Sequence, residues 1–262
     1  VRHSTLFPYA LLLIILLLTI PLTVSALSSS DAKKDWYDAR ERSRETQEAH
    51  RLAKVTWAVN KTPDNNQNVI DTGKEALLAA LDEAEAWLEW KRSEVEEYQE
   101  IPENLKATIR EDVASNLVKI EELRVEVESV NTQLELGLAY LKMVGKYFEL
   151  LTDVARNTGL VWVHLMNTHA QTVGDYEQEL RDAAGGIPNN RDILLKLDRA
   201  QDELDKAETN IALAQSEYEQ VRLPGTPLIK FSNGNSYLRI ARGNLLSAHG
   251  YLEQAFLEIS RG

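Results

Sequence analysis

Residues 191–221 read RDILLKLDRAQDELDKAETNIALAQSEYEQV, and their apolar positions decide the fold class. Ile193, Leu197, Ala200, Leu204, Ala207, Ile211, Ala214, Tyr218 and Val221 follow one another in steps of four and three without a miss. That spacing is a heptad seam, the signature of a long helix that buries one stripe against another helix. A second run answers it: Leu238, Ala241, Leu245, Ala248, Leu252, Ala255 and Ile259 step the same way. Both alternate a large residue with alanine, so two antiparallel helices can interdigitate at the close end of the 8–10 Å range. The break at Leu223-Pro224-Gly225 separates them, and the spacing predicts one helical hairpin over about 190–260.

The same pattern extends towards the N-terminus. Residues 31–60 read as a charged helix, and a second helix follows Thr62-Pro63 and runs to about Tyr98, giving a hairpin over about 31–99. Thr226-Pro227 repeats the cap-and-proline pair, and Asn189 or Asn190 is placed to cap the helix that starts near Arg191. Central long helices occupy about 103–184. Leu105, Ile109, Val113, Leu117, Ile120, Leu123 and Val127 form one stripe. Leu134, Leu138, Leu141, Gly145, Phe148, Thr152, Ala155, Gly159, Trp162, Met166, His169, Val173, Tyr176 and Leu180 form the next. A helix over about 134–184 would span about 75 Å, longer than its neighbours, unless the chain turns near Gly159. The expected architecture is all-α, an extended antiparallel, coiled-coil-like bundle of roughly six or seven long helices.

Composition agrees. The chain has 262 residues, 44% of them hydrophobic, with only 12 glycines and 7 prolines to make turns. It has no cysteine, which excludes disulfides, zinc-thiolate sites and a thiol nucleophile. The net charge of −12 sets a repulsive field against nucleic acid.

Residues 1–26 carry an address. Arg2 and His3 precede an apolar run from Leu6 to Ile20, then Pro21, and the small residues Val24 and Ala26 suit the positions before a cleavage site. This layout predicts a secretory signal peptide cut after Ala26; the alternative is an uncleaved membrane anchor, with residues 27–262 outside the cytoplasm in both cases. Val1 fits a non-AUG start codon and a prokaryotic source. Residues 1–30 hold one arginine and no acid, so the remainder is one unit more acidic than the whole.

Catalytic constellations are not legible. There is no Gly-x-Ser-x-Gly, no glycine-rich phosphate loop, no His-x-x-x-His, and no Glu-x-x-His of the kind that builds di-iron sites in bundles. Asp64, Asn66, Asn68 and Glu75 echo a calcium loop, but Val69 stands where that loop needs glycine. No enzyme, cofactor or metal is expected. Two sites remain as candidates. Small residues at Gly145, Thr152 and Gly159 recur every seven positions, and Gly159 with Trp162, Met166 and His169 is the one place where an amphipathic ligand pocket inside the bundle is conceivable. Trp90 reads as turned away from the core, which suits a partner surface. The function expected is an exported, non-enzymatic scaffold or protein-interaction module of the cell envelope, with a protein partner or self-assembly. The alternatives are a ligand-sensing bundle and a holdase-like chaperone.

Overall fold

The computed structural model describes residues 29–260, and the signal peptide or anchor expected over residues 1–26 lies outside them. The described chain forms α1 (Ser30–Val59), α2 (Pro63–Glu97), α3 (Glu103–Glu128), α4 (Gln133–Ala184), α5 (Arg191–Glu219) and α6 (Pro227–Ile259), with no strand among the described residues. None of these helices is long and apolar enough to cross a membrane.

Successive helices run antiparallel, as their ion pairs show. Arg40 reaches Glu83 between α1 and α2, Arg124 reaches Asp82 between α3 and α2, and Arg156 reaches Asp112 between α4 and α3. Arg181 meets Asp198 between α4 and α5, and Lys196 meets Glu258 between α5 and α6. Helix α2 is the hub of one bundle, packed against α1, α3 and the start of α4, while among the described residues α1 packs chiefly on α2. The rest of α4 joins α5 and α6 in a second bundle. The apolar core divides accordingly, and α4 contributes to every part of it.

The α5 seam is buried at each of its nine positions, and the α6 seam from Leu238 to Ala255 is buried too, with Ile259 at its half-buried end. The α3 stripe is buried at Ile109, Val113, Ile120, Leu123 and Val127, and half-buried at Leu105 and Leu117. Helix α4 does not turn near Gly159; it is continuous for 52 residues, about 78 Å at 1.5 Å per residue.

The α4 seam departs from expectation at its start. Leu136, Ala139, Met143 and Leu150 face the core, whereas Leu134, Leu138 and Leu141 are 73%, 57% and 65% exposed and Gly145 is open. This third of α4 carries two apolar rows about half a turn apart, and only one meets α2 and α3. The two readings coincide further along, at Thr152 and Gly159.

Capping also differs in detail. The Thr62 hydroxyl accepts the Asn65 N–H at 3.2 Å, as its position requires. Thr226 makes no such bond, and Asn190 caps nothing with its side chain, which donates instead to the Ala184 carbonyl at 2.8 Å. The start of α4 has the stronger device, a capping box between Thr132 and Glu135.

Truncating the fully packed Leu204 to alanine is expected to cost about 2–5 kcal/mol, whereas Leu195→Ala, on the exposed side of α5, stays within about 0.5 kcal/mol. Urea unfolding of the two variants checks the assignment, and equal losses would put the seam on the wrong face.

Candidate functional site

The candidate pocket on α4 is built around an intruding side chain. Tyr218, buried on α5, inserts its ring between Gly159 of α4 and Gly234 of α6. A Cβ on Gly234 would stand 2.6 Å from Tyr218 Cε1, and one on Gly159 would overlap the ring outright. The missing side chains are what admit the tyrosine. Its hydroxyl donates to Asn235 Oδ1 at 2.6 Å, and burial pushes its pKa well above the ordinary value. The Phe231 ring lies 5.6 Å from that of Tyr218 and 6.0 Å from that of Trp162, so the three aromatics join α5, α6 and α4.

Gly159, Trp162 and Met166 therefore belong to one packed layer, with Trp162 and Met166 half-buried against it. His169 is exposed. Along this part of α4 the packed line has moved one position on, to Val163 and Ala170. A straight helix drifts by about 20° per heptad, which carries the histidine out past the rim.

Trp90 is placed opposite to expectation. It is 6% exposed, because α1 lies over it and stacks Trp36 on its ring at 4.8 Å. Lys91 Nζ sits 3.8 Å from the ring centroid, and the indole Nε1 has no hydrogen-bond partner. Because α2 is covered on several sides, a residue turned away from one neighbour is turned towards another.

The other histidines have local roles. His50 is packed beside Gly73 and Leu136 with Nδ1 3.3 Å from Thr72 Oγ1, and burial holds its pKa below the ordinary value. His164 Nε2 donates to the Glu100 carbonyl at 2.7 Å, fixing the α2–α3 connection to α4. Asp64, Asn66, Asn68 and Glu75 stand on the opening turns of α2 and radiate along a helix. Among the described residues no group of three or more His, Cys, Asp or Glu is placed to hold a metal ion.

A polar cluster between α3 and α4 is less visible in the sequence. Buried Asn116 donates to Asp153 at 3.1 Å and accepts from Lys119 at 3.3 Å. Asp112 takes Arg156 at 2.6 Å and Asn157 at 3.0 Å, and Asn157 Oδ1 is buried without a partner. Directional groups set in an otherwise apolar seam fix the register of α3 on α4. Their signal was Asn116, which falls at seam spacing between Val113 and Ile120. Nearby, a cavity of about 10 Å³ lined by Leu81, Asn116, Ile120, Met143, Tyr147 and Leu150 has room for about one water molecule.

The surface features that stand out are rows of apolar side chains on the outer sides of packed helices. Leu134, Leu138 and Leu141 with Gly137 and Gly145 form one on α4; nothing lies within 4 Å of where a Cβ would stand on either glycine. Leu52, Val55 and Val59 form another on α1. No known protein family, curated protein or solved structure matches this chain.

Two outcomes follow from this packing. Gly159→Ala is expected to destabilise by about 1–3 kcal/mol through overpacking against Tyr218, and Tyr218→Phe by about 0.5–1.5 kcal/mol through loss of its hydrogen bond. A wild-type melting curve for Gly159→Ala would remove the tyrosine from this role. His50 binds protons less readily folded than unfolded, so its contribution is present above about pH 6.5 and is lost as pH falls through its lowered folded pKa. The wild-type stability minus that of His50→Gln should therefore decline below pH 6.5, a comparison that cancels Glu83, whose pKa burial raises. A flat difference would contradict the burial of His50.

Proposed function

We propose that this chain is an exported, non-enzymatic scaffold or protein-interaction module of a prokaryotic cell envelope, acting outside the cytoplasmic membrane through its long helix faces. The observation that carries the reading is the pair of apolar rows on the outer sides of α4 and α1. A single exposed leucine is ordinary, but a row at helical spacing on a helix already packed from behind has the form of a surface for another helix. The export half of the reading is supported by the sequence alone, through the charged start, apolar run and small residues of positions 1–26. In this reading those residues supply whatever membrane contact there is, and the acidic remainder stays in solution.

Affinity purification of the C-terminally tagged protein from its native host, separated into medium, membrane and cytoplasm, tests both halves. The expected result is a chain beginning at Leu27 by intact mass, recovered outside the cytoplasm with a stoichiometric partner or as a defined assembly. An intact chain confined to the cytoplasm would overturn export, and a monodisperse monomer that retains nothing would overturn the interaction role.

A further inference from the structure

We propose that the outer row at the start of α4 is a homodimer interface, formed when α4 pairs antiparallel with α4 of a second copy. The proposal rests on the reading of the chain as an interaction module and names the partner for one of its faces.

The row has the period of a seam. Leu134, Leu138, Leu141, Gly145 and Phe148 step by four, three, four and three, a spacing that keeps one line facing another helix along its length. The helix behind it is already held by Leu136, Ala139, Met143 and Leu150 in the core and by the capping box at Thr132 and Glu135. Pairing therefore requires little ordering of the backbone, which removes one of the main costs of association.

A second copy matches the row in both size and charge. In an antiparallel register whose midpoint lies between Ala139 and Tyr140, Leu138 faces Leu141 of the second copy. Leu134 then faces Gly145 of the second copy, and both contacts occur twice. The open space over Gly145 accepts the leucine, as the Gly159 gap accepts Tyr218. Glu135 and Lys142 lie one heptad apart on the same edge of the row; Glu135 is tied into the cap at Thr132 and Lys142 pairs with Glu126 of α3, yet both stay solvent-exposed, and this register brings each Lys142 within a turn of Glu135 on the other copy. A parallel pairing would instead set Gly137, Val144 and Leu151 against that edge, leaving Glu135 and Lys142 with only the partners they have in the single chain. The two acids and two bases of residues 133–151 cancel, so this face escapes the net negative charge of the whole chain. Leu134 to Gly145, the part that finds a counterpart in this register, covers about 17 Å of helix, a short interface suited to weak, micromolar association.

Sedimentation velocity on the protein in the form its host accumulates, from about 1 to about 300 µM, reads the equilibrium directly, with Kd expected inside that range. Leu141→Glu should raise Kd by about a hundredfold. Its helix content and melting temperature should be unchanged at low concentration, since Leu141 is exposed in the single chain. Glu135→Lys and Lys142→Glu should each weaken the dimer, and the double variant should recover it. That recovery cannot come from the capping box or from the Lys142–Glu126 pair, since the double variant still lacks both. A monomer throughout the range, or a dimer indifferent to Leu141→Glu, overturns the proposal. A monomer that still holds a different protein in stoichiometric amount overturns it too, while leaving the interaction-module reading in place.

Discussion

A helix of 52 residues cannot be covered by one bundle whose other members are 26 to 35 residues long, and the architecture follows from that mismatch. The first part of α4 is packed by α2 and α3, the remainder by α5 and α6, and no helix of one group touches a helix of the other. Among the described residues the two bundles are joined only through α4. Removing either would leave a length of α4 with a bare apolar side, so each depends on the other through their common member.

Two kinds of packing hold the bundles in register. In the second, alternation of large residues with alanine along α5 and α6 sets a close approach, and Tyr218 between Gly159 and Gly234 fixes how α5 and α6 sit on α4. In the first, the polar cluster of Asn116, Asp153, Asp112, Arg156 and Asn157 does the equivalent work for α3 on α4. The steric lock penalises an added carbon at the glycines, and the polar lock penalises slip, since sliding would strand buried amides and half-buried carboxylates.

The parts legible in the sequence are those where a helix has one packed side. The α5 and α6 seams satisfy this, and so does the stripe on α3 from Ile109 to Val127; each was readable residue by residue. Helix α2, packed from several directions, hid the burial of Trp90, because distance from one seam does not mean exposure when another helix covers the far side. The start of α4 failed for the complementary reason: it carries two rows at helical spacing, and period alone cannot say which of them meets the core. Drift along a straight helix takes His169 out to the surface, and the space expected at Gly159 for a ligand is filled by Tyr218 of the same chain. The polar cluster was the least legible, since pairs such as Asp112 and Arg156 are far apart in sequence and resemble ordinary surface charges.

Among the described residues, helix α1 rests chiefly on α2, and its first residue follows closely on the N-terminal segment. Tension arriving through that segment enters the α1–α2 hairpin at its open end, where Trp36 is stacked on Trp90, far from the turn at Asn60. Load applied there opens the hairpin one turn at a time, because each contact bears the force only after the one before it has yielded. Force reaches the bundle built on α4 through the contacts that α1 makes, chiefly those on α2. The molecule is thus graded in how firmly its parts are held, from α1, secured along one side, to α4, contacted by four other helices.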